Sequence, residues 1–81
     1  MGLVAGIIGA AGYAGAELVR ILSRHPEFDL RVITSSTDEG LPISELDPAF
    51  KGVCDLEFEA HNTTSLADCD VVFMATPHTA A

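Results

Sequence analysis

Leu3-Val4-Ala5-Gly6-Ile7-Ile8-Gly9-Ala10-Ala11-Gly12-Tyr13-Ala14-Gly15 sets an unbroken apolar run directly before glycines spaced G-x-x-G-x-x-G. The run is β-branched at Val4, Ile7 and Ile8 and has no polar position. It reads as a strand buried on both faces, as in a parallel sheet. Glycine- and alanine-rich segments produce the spacing by chance, so the pattern alone is weak. A strand before it and a helix after it supply the required context. Each glycine then has a task. Gly9 takes the tight turn off the strand, Gly12 leaves no Cβ in the way of a pyrophosphate, and Gly15 lets the helix pack close. Free amides at the helix N-terminus offer donors and partial positive charge to phosphate. The competing reading is a tight helix–strand crossing with no ligand.

Working outward, a helix runs to about Arg24, with Ala11, Gly15, Leu18 and Leu22 on one stripe and Glu17, Arg20 and Arg24 on another. Pro26 stops it. Leu30 to Ser35 reads as a second strand. Ser36 to Gly52, with Gly40, Pro42, Pro48 and Gly52, has loop composition, with one short helical turn near Ser44. Leu56 to Glu59 alternates apolar and acidic residues and suits an edge strand. Ser65 to Cys69 forms one helical turn, and Val71 to Ala75 is a second fully apolar, central strand. Strand, helix, strand, loop, edge strand, turn, strand is most of one half of a doubly wound sheet. The fold expected is therefore α/β, a Rossmann-type parallel sheet with helices on its faces, incomplete. Residues 1–81 are expected to be the N-terminal part of a dinucleotide-binding domain, with the catalytic and substrate domain absent from this chain.

The chain of 81 residues is 48% hydrophobic and 20% charged, a globular balance. Its net charge of −8 is uneven. Residues 1–37 balance Glu17, Glu27 and Asp29 against Arg20, Arg24 and Arg31, so the whole excess lies beyond them. This acidity argues against nucleic acid and anionic membranes as partners. No run of 18 apolar residues spans a membrane. No Lys or Arg precedes Arg20, and Glu17 interrupts the opening apolar stretch, so it is not a signal peptide. The expected location is the cytoplasm. Cys54 and Cys69 form no C-x-x-C and have no histidine at ligand spacing, so no metal site is expected. Both precede strands, at the sheet edge opposite the one where ligands bind, and read as buried structural residues.

The end of the second strand bears on the cofactor. An acid there binds the ribose hydroxyls of NAD and repels the extra phosphate of NADP. Here Thr34-Ser35-Ser36-Thr37 offers hydroxyl donors, which favours NADP, although Asp38 and Glu39 follow closely. An ordinary polar turn is the other reading of this cluster. His78 stands at the C-terminal end of the last strand, placed to shape the pocket or to exchange protons. His25 and His61 read as solvent-facing loop residues.

Gly9 through Val19, His25-Pro26, Thr34-Ser35, Asp38-Glu39-Gly40, Ser44 through Pro48 and Asp70 through His78 together resemble the N-acetyl-gamma-glutamyl-phosphate reductases. The Gly-Tyr-Ala-Gly-Ala-Glu and Ala-Thr-Pro-His pieces distinguish that family from the related aspartate-semialdehyde dehydrogenases. The resemblance implies an NADPH-dependent oxidoreductase of arginine biosynthesis that reduces N-acetylglutamyl phosphate, an acyl phosphate, to the semialdehyde. A cysteine thiolate displaces phosphate, and hydride from the nicotinamide resolves the thioester. That cysteine lies beyond residue 81, so no catalytic residue is expected in this chain. The complete enzyme is expected to be a homo-oligomer.

By position, the resemblance puts Gly9, Ala11, Gly12, Tyr13 and Ala14 at the pyrophosphate, and Gly15 is counted with the same cofactor-binding loop. It puts Ser35 and Ser36 at the adenosine ribose or its 2′-phosphate, and Ala75, Thr76, Pro77 and His78 at the cofactor's border. Many members carry Arg where this chain has Ser36, and Gly often follows the histidine where this chain has Thr79. The rival readings are aspartate-semialdehyde dehydrogenase or another enzyme of the fold, and a non-catalytic nucleotide-binding module.

Overall fold

The computed structural model describes residues 2–75. Its sheet has four strands, β1 (Leu3–Ile8), β2 (Phe28–Thr34), β3 (Phe58–Glu59) and β4 (Val71–Met74), in the order β3-β2-β1-β4. Every pairing is parallel. This is the strand order of the first half of a doubly wound dinucleotide-binding sheet. Two helices follow in chain order, α1 (Tyr13–Arg24) between β1 and β2 and α2 (Ile43–Leu46) between β2 and β3. Short 3₁₀ turns cover Pro48–Phe50 and Thr64–Asp68.

Apolar spacing along α1 buries Gly15, Val19 and Leu22. The buried stripe therefore runs through Val19, with Leu18 only half-buried beside it. Burying Val19 and Leu22 stabilises the fold by about 1.5–3 kcal/mol each. The helix ends at Arg24, and the His25 amide closes its last turn on the Leu22 carbonyl. Gly15 lets α1 come down on the sheet. A Cβ there would lie 2.4 Å from the Gly9 carbonyl oxygen and 2.6 Å from the Ala10 Cα.

β2 begins two residues earlier than its sequence suggests, because Phe28 pairs with Leu3. Register shifts between Ala5 and Gly6, leaving Arg31 as the extra residue of a bulge. The bulge turns Leu30 and Ile33 to the α1 face, while Val32 packs under Gly6 on the other. Arg31 points outward and pairs with Asp29 at 2.7 Å.

The core lies between the α1 face of the sheet and the segment that follows β2. Ala5, Ile7, Val19, Leu22 and Ile33 meet Ile43, Phe50, Cys54 and Phe58 there. The expected loop of residues 36–52 is thus a structured cover, because Ile43 and Phe50 reach the core from two short turns. The Asp47 carboxylate caps the second of them by accepting from the Ala49 amide at 3.1 Å.

On the opposite face, the Thr64–Asp68 turn brings Leu66 and Cys69 against Gly6, where a Cβ would meet both at 3.0 Å. In the described sheet β4 pairs with β1. Phe73 packs against the core, so Val72 and Met74 alternate to the other face, where both are exposed. Asp70 fastens its start: its carboxylate accepts from the Val4 amide at 2.8 Å, and its own amide donates to the Val4 carbonyl at 2.7 Å.

Candidate dinucleotide-binding site

All four strands are parallel, so their C-terminal ends share one edge of the sheet. Gly9, Ser35, Ala60 and Ala75 are the first residues past those ends. Gly9 leaves β1 with φ of 85°, in the left-handed region that glycine adopts without strain. Thr34 holds this turn from β2. Its carbonyl accepts from the Gly9 amide at 3.2 Å and the Ala10 amide at 2.9 Å, and its hydroxyl oxygen accepts from Gly9 at 3.3 Å.

Gly12 is the N-cap of α1, and no side chain caps the helix. No acidic residue sits in the first turn either. A Cβ built on Gly12 meets nothing within 4 Å, so the space in front of the helix start is open. Uncapped amides, the positive end of a twelve-residue helix dipole and an open approach are what a phosphate requires. The residues present therefore fit a dinucleotide's pyrophosphate.

Beside this opening lies a cavity of about 220 Å³ lined by Gly9, Ala11, Gly12, Ser35, Ser36, Thr37 and His61. It joins the glycine loop to the end of β2. Ser35 is buried and its hydroxyl is engaged: it donates to the Asp38 carboxylate at 3.0 Å and accepts from the Thr37 and Asp38 amides. Thr37 donates to the same carboxylate oxygen at 3.0 Å. Asp38, the acid nearest the end of β2, is thus turned into its own loop. Ser36 is exposed at the cavity.

The remaining expected residues divide. Ala11 lines the cavity with Gly9 and Gly12. Gly15 is buried beneath the glycine loop as the helix–strand spacer. Ala14 is exposed in the first turn of α1. Tyr13 is 86% exposed and borders a groove with Ala16, Glu17, Arg20, Asp47 and Phe50, and it is not among the residues that line the cavity with Ser35. Ala75 extends the β1–β4 ladder, its amide donating to the Ile8 carbonyl at 2.9 Å. Thr76, Pro77 and His78 lie outside the described residues.

His61 is exposed in a loop, as its sequence suggests, and it also reaches the candidate site. It sits two residues past β3, lines the cavity, and its Nδ1 lies 2.7 Å from the Thr34 hydroxyl. Its position just beyond a strand's C-terminal end is the signal that would have found it.

The cysteines lie at the other edge. Cys69 leads into β4, and Cys54 is buried near Leu22, Ser23 and Phe28, at the start of β2. Burial raises the Cys69 thiol above its ordinary value, and Asp68, Asp70 and Glu59 push the same way. That thiol stays protonated and is a poor nucleophile. Among the described residues no three His, Cys, Asp or Glu side chains gather as a metal cluster. No described helix is long and apolar enough to cross a membrane.

A parallel β3-β2-β1-β4 sheet with an uncapped glycine turn at its C-terminal edge defines the Rossmann-type class of nucleotide-binding units. Residues 4–81 match the family model described as the semialdehyde dehydrogenase NAD-binding domain, and the chain belongs to that family. Over 73 residues, 90% of this chain, it is 51% identical to the N-acetyl-gamma-glutamyl-phosphate reductase of Herminiimonas arsenicoxydans. It is 52% identical to that of Bordetella avium and 51% to that of Acinetobacter baumannii, over the same 73 residues. The chain spans 21% of the length of each. Aspartate semialdehyde dehydrogenase of Candida albicans, solved with NADP, superposes with a TM-score of 0.81 over 93% of this chain and 23% of that one. At 24% identity that likeness establishes the fold.

Proposed function

We propose that this chain is the N-terminal, NADPH-binding part of an N-acetyl-gamma-glutamyl-phosphate reductase, with the catalytic and substrate domain outside residues 1–81. The observation that carries the proposal is the open, uncapped helix start at Gly12 beside a hydroxyl-lined cavity, with the Asp38 carboxylate engaged by the Ser35 and Thr37 hydroxyls. Identity near 50% to reductases of that name supports the substrate class. The complete enzyme would take an acyl phosphate through its other domain and work as a homo-oligomer in the cytoplasm.

The bound cofactor would supply hydride. The chain's own residues bind and orient it. Gly9, Ala11 and Gly12 leave the backbone bare for the pyrophosphate, and the first-turn amides of α1 donate to it. Ser36 faces the ribose, while Ser35 acts through the loop by holding Asp38. Ala75, with Thr76, Pro77 and His78 after it, would border the cofactor from β4. Neither Cys54 nor Cys69 takes part. The second reading, aspartate-semialdehyde dehydrogenase, draws on the Candida albicans fold likeness. It differs in the substrate domain and shares this site.

Calorimetric titration of the chain with NADPH, and separately NADH, tests the proposal. Tighter binding of NADPH, abolished by Gly12→Asp, is expected. Binding of either dinucleotide that survives Gly12→Asp unchanged refutes the site. Preference for NADH refutes the NADP assignment.

A further inference from the structure

Four hydroxyl residues in series end β2, yet three of them are committed to the protein. Thr34 bonds Gly9 and His61, Ser35 bonds Asp38, and Thr37 bonds Asp38. Ser36 is the one of the four with no such bond to a described residue. The cavity lining holds no Lys or Arg. A phosphate placed here would need a further donor, and His61 is the lining residue with a ring nitrogen to spare.

The hydrogen bonds favour one arrangement of the Thr34–His61 pair. Thr34 is fully buried, so its hydroxyl proton needs an acceptor. Its oxygen already accepts from the Gly9 amide at 3.3 Å, and His61 Nδ1 at 2.7 Å is the acceptor within reach. With Nδ1 accepting from Thr34, the ring nitrogen left to donate is Nε2. The bond to Thr34 also anchors an otherwise exposed ring. The same Thr34 oxygen orders the Gly9 turn, so the glycine loop and His61 are aligned through one atom.

We infer that His61 is a specificity-determining residue for the cofactor: with the Ser36 hydroxyl, its Nε2–H donates to the group on the adenosine ribose 2′ position and favours a phosphate there. A 2′-phosphate offers charged acceptor oxygens, and bonds to a charged group are stronger than bonds to a hydroxyl. The inference rests on the cofactor reading proposed above and adds a residue from the loop after β3 to a function assigned to the end of β2.

The test is calorimetric titration of the full chain and of His61→Ala and His61→Gln with NADPH and with NADH, each variant checked for native circular dichroism. His61 is exposed, so both variants should fold. His61→Ala should weaken NADPH about tenfold, the size expected for one lost bond to a charged group, and leave NADH within about twofold. His61→Gln, whose amide N–H₂ reaches near the Nε2 position, should recover most of the NADPH affinity. Equal weakening of both cofactors, or no weakening of either, overturns the inference while leaving the cofactor site standing. If the unmodified chain binds neither dinucleotide, the cofactor reading itself falls and this inference falls with it.

Discussion

Gly15→Ala separates helix propensity from packing. In an ordinary helix interior the change stabilises by about 1 kcal/mol. Here the new Cβ would stand 2.4 Å from the Gly9 carbonyl oxygen, 2.6 Å from the Ala10 Cα and 2.8 Å from the Ala10 carbonyl carbon. All three are backbone atoms in the turn fastened by Thr34, so none can swing aside. Restoring contact needs roughly 1 Å of retreat by α1, which would part Val19 and Leu22 from Ala5, Ile7 and Ile33. Overpacking of this kind costs about 1–3 kcal/mol. A rigid obstacle belongs at the upper end, which leaves a net loss of about 1–2 kcal/mol. For a domain of this size that lowers Tm by roughly 5–15 °C. Thermal unfolding followed by far-ultraviolet circular dichroism measures it, with Gly12→Ala as the control. That site has open space and φ of −77°, so only a small capping loss is expected. A Gly15→Ala chain as stable as the parent, or more so, would mean that α1 does not rest on the Gly9 turn, and the explanation of Gly15 would be wrong.

Gly9→Ala places a Cβ at φ of 85° and should cost about 1–2 kcal/mol, read as a lower urea midpoint; an unchanged midpoint would show that the turn is not left-handed. Phe58 is 2% exposed and joins the short edge strand to the core, so Phe58→Ala should cost about 3–5 kcal/mol. That is a large share of the stability of an 81-residue chain, and the cooperative thermal transition should be lost or pushed toward room temperature. The raised Cys69 thiol predicts a pH dependence. The folded chain keeps this proton after the unfolded chain has lost it, so the contribution is whole below pH 9.0, the ordinary value, and is lost as pH rises through the folded-state value. Urea midpoints at pH 8 and pH 10 should fall less for Cys69→Ala than for the parent, and equal falls would contradict the shift.

Where covalent and steric rules act locally, the sequence could be read closely. Leu3–Ile8 and the end of α1 at Arg24 come out as expected, because an unbroken β-branched run and a following Pro26 admit few alternatives. The parallel order of β1, β2 and β4 follows from the glycine turn and the connections between strands. Other features depend on tertiary contacts that no local pattern carries. The Phe28-Asp29 start of β2 is strand only because Leu3 pairs with it, and the Arg31 bulge then reverses which residues face α1. Ile43 and Phe50 sit among prolines and glycines that signal a loop, and their burial is decided by the core above them.

The candidate site shows the same division at the level of single side chains. The position of an acid four residues after Thr34 is visible in the sequence, and read alone it counts against a 2′-phosphate. Its direction is not visible. Two hydroxyls, from Ser35 and Thr37, hold the Asp38 carboxylate inside the loop, so the hydroxyl cluster acts partly by restraining that acid. This matters because the net charge of −8 gives an anionic ligand no general attraction. Charges beyond about 8 Å are largely screened at physiological ionic strength, so affinity has to come from donors within the cavity itself. On the cofactor reading proposed above, those would be the first-turn amides of α1 beside the cavity and Ser36 and His61 in its lining, and the parallel sheet is what brings the segments that follow β1, β2 and β3 to one edge.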